Sequence, residues 1–482
     1  TDLSNIKMNN TFLIELLEKF SERELQQFNV FVHTDFFNTN EKVRKLCCYL
    51  LEEKEKVSKR AAYVAVFQST DYKELKLNNV ISDLLQLAYT FLVQQQIAGH
   101  ELLHQSYLME ALMERNLHRP LPRIIKKTAK IKERVDTRSY QFFQEAYAVY
   151  EQLDRFALIH NQRQYDENLQ KMSDSLDVYY LCNKFRIACE MVSRSTMLKE
   201  QYHAKFIAVA LQEYELNKAY YAAYPSLEIY YQAYQFLTNP SAAGYNILKA
   251  RLQAHASLLP PSERRHLYTY MLNFSVRQIN FGRSNYYAEI LAIYKVLIQQ
   301  DLLLQHGYLT MWSFINASTT GIRLKAYEWT EQFIKKYQYA LKADERQNTI
   351  DHQLAMLYFA KGNFNKTLGL LQKIEFNNVF YQASARTMQL KVFYELEEVE
   401  PFYALVKSIK NLLKRKRQMS EEHRLSYTNF VRTAKLLLDL KLKPRYQIRA
   451  KHLKFKDKLA ALEPMKNKEW LWEKYEVLLK TL

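Results

Sequence analysis

The pattern in this chain that comes nearest to a catalytic signature is His100-Glu101-Leu102-Leu103-His104. On a helix, two histidines four residues apart face the same way and can hold Zn²⁺, while the intervening glutamate activates the bound water. A zinc hydrolase is therefore one reading of the sequence. Glu145 or Glu151 would have to supply the third ligand, because Glu110, Ala111 and Leu112 stand where a downstream glycine and third histidine would run. No strand-rich segment is available to bind a substrate backbone. The competing reading is an ordinary helix packed through Leu102, Leu103, Leu108 and Leu112. Other catalytic arrangements are missing. There is no G-x-S-x-G, no P-loop, no G-x-G-x-x-G and no aspartate cluster at metal spacing, so we expect a non-enzyme without metal or cofactor. Glu190, Glu200 and Asp351 read as helix-surface acids.

A second chemistry lies in the charge. The formal net charge is +18, and two zones carry all of it. Arg115 to Arg134 holds eight basic residues and one acid, Glu133. Pro401 to Leu482 holds 21 basic residues and eight acids. In the first zone Arg123, Lys126, Lys127 and Lys130 recur along a predicted helix. In the second, Lys414, Arg415, Lys416 and Arg417 form a run, and Arg445, Arg449, Lys451 and Lys454 alternate with Tyr446, Ile448 and Leu453. Such a distribution is the electrostatic footprint of a nucleic-acid-binding surface. The favoured reading is the polar outer face of a helix capping the solenoid, with anionic protein partners, an acidic membrane surface, RNA or DNA as the alternatives. Nucleic acid is thus the alternative partner, through zones 115–134 and 414–458.

The elements that must position these groups are helices. Seven glycines in 482 residues leave almost nothing for the turns, close backbone approaches and phosphate loops of sheet-based folds. Thr11 to Phe20 has an amphipathic period. Ser21 with Glu24 forms a capping box for the next helix, which carries Leu25, Phe28, Phe31 and Val32. Lys59–Phe67 and Asn79–Gln95 follow, then a helix from about Ile97 to Asn116. His118-Arg-Pro-Leu-Pro122 breaks the pattern, since the residue before each proline disfavours helix. From Ser139 onward, helix-length segments alternate with turn signals, among them Ala223-Tyr-Pro225, Asn239-Pro240, Phe281-Gly282, Thr319-Thr-Gly321 and Lys361-Gly-Asn363. The 36 tyrosines and 26 phenylalanines are expected to fill gaps between packed helices. Cys47, Cys48, Cys182 and Cys189 offer neither zinc-ribbon spacing nor a disulfide framework, which favours a reducing cytoplasm. No apolar run approaches a membrane span of about 20 residues.

His352 to Glu375 is the clearest hairpin. Leu354, Ala355 and Tyr358 line one helix, Gly362 and Phe364 form the turn, and Leu368, Leu371 and Ile374 line the second. This unit resembles the tetratricopeptide repeat, except that Thr367 stands where the repeat has alanine. Tyr381 to Leu412 is a looser copy without a turn glycine. The strings Leu17-Glu-Lys-Phe-Ser-Glu-Arg-Glu-Leu25, Asp35-Phe-Phe-Asn-Thr-Asn40 and Lys468-Glu-Trp-Leu-Trp-Glu-Lys474 are similar to a group of uncharacterised bacterial tetratricopeptide-like proteins. The resemblance implies an all-α fold, an N-terminal helical domain followed by a tetratricopeptide-like α-α superhelix (solenoid). The expected organisation is a helical domain over 1–117, a basic proline-containing linker or helix over 118–138, and helical hairpins over 139–482. The repeats are clearest over 343–415, and basic helices cap the C-terminal end. The expected function is a scaffold or adaptor holding a protein or peptide segment in the groove of the repeats.

Overall fold

The computed structural model describes residues 11–53, 58–160, 165–195, 202–374, 379–415 and 421–480. These residues are helical, with two short 3-10 turns among the α-helices, apart from turns and isolated bridges such as Gln305 with Tyr308. The chain divides into two compact units, Thr1–Thr238 with Asn246–Leu259, and Asn239–Tyr245 with Pro260–Leu482.

In the first unit, α1 (Phe12–Leu17), α2 (Glu22–His33), α3 (Glu41–Glu52), α4 (Lys59–Phe67) and α5 (Glu74–Gly99) share one apolar core around Phe28, Leu46, Leu77, Leu84 and Phe91. The capping box forms as the sequence predicts. Ser21 Oγ accepts from the Glu24 backbone N–H at 3.3 Å, and the Ser21 N–H donates to the Glu24 carboxylate at 2.7 Å. Next come α6 (Glu101–Glu114), α7 (Leu121–Arg134) and α8 (Tyr140–His160), joined by Leu102, Met109, Leu121, Ile131 and Val149. The single helix expected over 97–116 is in fact two. His100 takes a non-helical backbone (φ −97°, ψ 74°) between α5 and α6. Pro120 and Pro122 sit at the start of α7, where a missing N–H costs nothing.

α9 (Glu167–Ser195), α10 (Ile207–Leu216), α11 (Lys218–Tyr221) and α12 (Pro225–Thr238) complete most of this unit. α8 and α12 both pack along α9, burying Cys182 and Cys189 on one face as their spacing predicts. Aromatic rings do fill the gaps. Tyr214 is 1% exposed and stacks on Tyr231 with ring centroids 4.1 Å apart. α13 (Ala242–His255) begins in the second unit and ends in the first.

The second unit contains α14 (Pro261–Asn280), α15 (Tyr286–Gln299), α16 (Met311–Arg323), α17 (Tyr327–Tyr337), α18 (Ala343–Ala360), α19 (Phe364–Leu371), α20 (Val379–Glu395), α21 (Val399–Arg415), α22 (Glu421–Lys441), α23 (Arg445–Ala461) and α24 (Lys468–Lys480). Each helix packs on its chain neighbour, and α16, α18, α20, α22 and α24 also pack on one another in that order. One local device ends α14, α16, α18 and α20 alike, and recurs at α15 (Asp301, Leu302 N–H to Leu297 O) and at α6 in the first unit (Asn116, Leu117 N–H to Leu112 O). Two positions past each helix a residue takes positive φ: Gly282 (83°), Lys325 (58°), Gly362 (75°) and Glu397 (60°). The next N–H then reaches back five residues, Arg283 to Gln278, Ala326 to Gly321, Asn363 to Tyr358 and Glu398 to Phe393, at 2.8–3.0 Å. This is the Schellman cap, which satisfies the last helical carbonyls. The turn without glycine in the looser repeat copy is therefore the same turn, with Glu397 in the glycine's place.

Two local expectations change. Thr319-Thr-Gly321 is not a turn but the end of α16, where Gly321 lies against α17. A Cβ there would stand 2.2 Å from Thr330 Oγ1 and 3.1 Å from the Trp329 ring. Asp351 is not a surface acid. It is 4% exposed and accepts from Gln347 Nε2 at 3.0 Å. Thr367 is fully buried where α19 meets α18, and its hydroxyl donates to Asn363 O at 2.9 Å. That bond lets the hydroxyl occupy an alanine position without leaving a buried donor unpaired. Glu200 lies outside the described residues. No described helix is long and apolar enough to cross a membrane.

Candidate partner-binding cleft

The H-E-x-x-H histidines do not converge. His100 lies outside α6, so the four-residue spacing no longer places the two rings on one helical face. Its Nδ1 is 2.6 Å from Glu145 Oε1 on α8, and its Nε2 is 3.2 Å from Gln96 Nε2 on α5. Both ring nitrogens thus serve to tie α6 to its neighbours. His104 is exposed, with Gln105 Nε2 3.4 Å from its Nδ1. Among the described residues no three His, Cys, Asp or Glu side chains are grouped to hold a metal ion.

The predicted basic residues fall on two helices of different units and on one helix end. Arg123, Lys126, Lys127 and Lys130 are exposed on α7, opposite buried Leu121, Thr128 and Ile131. Arg445, Arg449, Lys451 and Lys454 are exposed on α23, opposite buried Ile448, Phe455 and Leu459. Contact with Lys443, reinforced by Lys454, holds the Lys451 pKa below the usual lysine value. Lys414 and Arg415 occupy the last turn of α21, while Lys416 and Arg417 lie outside the described residues.

A cleft of about 600 Å³ in the second unit was not anticipated from the sequence. The end of α16, the α18–α19 turn, α20 and the start of α24 enclose it. Its apolar wall consists of Met356, Phe359, Met388 and Trp470, its rim of Arg323 and Glu469, which pair at 2.7 Å. Trp470 is fixed in place. Its indole N–H donates to Glu395 Oε1 at 3.0 Å, and its ring meets Tyr394 edge-on at 5.2 Å. Lys474 donates to the same Glu395 oxygen at 2.9 Å and to Glu473 at 3.1 Å. Burial opposes the Lys474 charge, but those two carboxylates outweigh it and hold the pKa above the usual lysine value.

Lys391, from the middle of α20, is different. Its ammonium lies 4.5 Å from the Phe359 ring centroid and 5.8 Å from that of Trp470. No described residue accepts a hydrogen bond from it or pairs with it. Burial pushes its pKa down to about 8, helped by Arg323 and Lys474 and opposed by Glu395 and Glu473. Two π faces stabilise the cation weakly, by about 1–2 kcal/mol when desolvated, and leave three N–H donors unused. The cleft therefore offers a cation to an incoming acceptor, with an apolar wall beside it.

Lys391 and Arg323 carried no sequence signal, and Trp470 only a place in the C-terminal string behind the family resemblance. Lys391 sits in an ordinary helical stretch, and its neighbours in space come from helices far along the chain. Comparisons of the chain with protein-family models, with curated proteins and with solved structures find no match.

Proposed function

We propose that the chain is a non-catalytic scaffold or adaptor, with an N-terminal helical domain preceding a tetratricopeptide-like solenoid. In this reading the second unit holds a segment of a protein partner in the cleft around Lys391. The alternate-helix packing from α16 to α24 supports the repeat assignment. Gly362 and Glu397 are about 35 residues apart, near the 34 of a tetratricopeptide unit. Four cysteines without a disulfide among them fit a reducing compartment such as the cytoplasm.

The observation that carries the reading is the Lys391 ammonium, boxed by Phe359 and Trp470 with its donors unused. A peptide that places a carboxylate on Lys391 and an apolar side chain against Met356, Met388 and Trp470 would satisfy both surfaces at once. Ion pairs on the rim would contribute orientation more than affinity. The test is binding of an array of short peptides rich in acidic and apolar residues, measured by fluorescence anisotropy. Peptides that bind the native chain should lose at least tenfold in affinity with Lys391→Met and with Trp470→Ala. They should also weaken as pH rises through about 8. Binding indifferent to both substitutions would remove the cleft from the reading.

A further inference from the structure

The first unit carries a different surface, independent of the cleft. Eight cations lie between Arg115 and Arg134, and two of them are used internally. Arg115 donates to Ala111 O at 2.8 Å, and Lys132 bonds the Tyr150 hydroxyl and leans on its ring at 4.7 Å. The remaining six, Arg119, Arg123, Lys126, Lys127, Lys130 and Arg134, are all exposed. None has a hydrogen-bond, ion-pair or ring partner among the described residues.

Their placement is ordered. At 3.6 residues per turn the five on α7 fall within an arc of about 100° and spread over ~16 Å of the helix axis, with Arg119 two residues before the helix start. The opposite arc is committed to the core. Leu121 and Ile131 are buried there with Ile124 and Ile125 half-buried, and the Thr128 hydroxyl donates to Ile124 O at 2.9 Å. The fold thus fixes the rigid element and leaves its cationic edge uncompensated. Glu133 is the one acid on α7.

We propose that the exposed edge of α7 docks the phosphate backbone of duplex DNA, without reading base sequence. Charge complementarity selects a polyanion, because a row of unpaired cations along one helix edge matches closely spaced phosphates. Single strands are disfavoured, since no aromatic side chain stands on the arc to stack bases. Every side chain in that row of cations is a donor only, so none can accept from the 2′-OH that distinguishes RNA. The apolar face of α7 is already buried, so an anionic membrane would gain only the charge attraction and no insertion from this helix.

The magnitude follows from counterion release. Each neutralised phosphate adds about −0.9 to the slope of log K against log salt, so six contacts give about −5. The same relation makes each contact worth roughly eightfold at 0.1 M salt.

The experiment is anisotropy titration of a fluorescent 24-base-pair duplex with the full chain, from 50 to 300 mM NaCl. The expected slope lies between about −4 and −5. Lys126→Gln with Lys130→Gln should reduce it by about 2 and weaken binding about 60-fold at 0.1 M salt. Lys126→Arg with Lys130→Arg should restore both, and Lys451→Gln with Lys454→Gln on α23 should change neither. Three results would overturn the proposal: no salt-dependent binding, binding unchanged by the α7 glutamines, or a loss that is equal in the α23 pair. It also fails if duplex RNA, phosphatidylserine vesicles or polyglutamate bind more tightly than duplex DNA through the same lysines. Peptide capture by the cleft is read separately, so either surface can fail without the other.

Discussion

Gly321 and Gly369 are both helical glycines, yet replacement by alanine should move stability in opposite directions. At position 321 the new methyl group would meet Thr330 Oγ1 at 2.2 Å and Trp329 at 3.1 Å. Thr330 cannot turn away cheaply. It is fully buried, its hydroxyl donates to Ala326 O at 2.8 Å, and its χ1 is restricted by β-branching. Trp329 is held in turn by stacking on Phe333, with centroids 5.3 Å apart. Relief must come from a shift of α17 against α16, an overpacking cost of about 1–3 kcal/mol. The gain in helix propensity offsets up to about 1 kcal/mol of that. We therefore expect Gly321→Ala to destabilise the second unit by about 1–2 kcal/mol. Gly369 is exposed and has nothing within 4 Å of the added carbon, so Gly369→Ala should stabilise by about 0.5–1 kcal/mol. The assay is urea unfolding followed by tryptophan fluorescence. All four tryptophans, Trp312, Trp329, Trp470 and Trp472, lie in the second unit and report on it selectively. Adding Thr330→Ala removes the clashing oxygen, and a double-mutant cycle should return a favourable coupling of about 1 kcal/mol. A midpoint for Gly321→Ala at or above that of the native chain would refute the reasoning.

Two further outcomes concern titration. His352 is 6% exposed, hydrogen-bonds Ser384 at 3.0 Å, and burial pushes its pKa down to about 4. Its neutral form favours the folded state, so stability is full above about pH 6.5 and falls as pH drops toward 4. The loss should approach roughly 3 kcal/mol, and His352→Gln should flatten the fluorescence midpoint over that window. Lys391, with its pKa lowered to about 8 by burial, should titrate its reactivity toward acylation well below the usual lysine range. Mass-spectrometric labelling with acetic anhydride should give half-maximal reactivity near pH 8. A midpoint near 10 would show the amine to be fully solvated.

Much of the framework was legible from local chemistry. Ser21 and Glu24 announced a helix start because the capping box is made within four residues. Gly362 announced a turn because positive φ favours glycine. Glu397 and Lys325 did not, since neither residue type advertises a left-handed conformation, and so those two caps were invisible. Gly321 misled for the converse reason. Its missing side chain serves a close helix crossing, and only the partner helix reveals that.

The sequence by itself determined the helical class, the sites of most turns and the two concentrations of positive charge, all properties of short windows. Tertiary structure decided what those charges face. The α7 cations stay unpaired because the opposite arc of the same helix is spent on the core. Lys391 became a cleft residue only when Phe359 and Trp470, 32 residues before it and 79 after it, closed around its ammonium. His100 and His104 parted because one backbone junction, set by the packing of α5, α6 and α8, took the first histidine off the helix. Desolvation, pairing and ring contacts depend on distance in space, and no spacing along the chain encodes them.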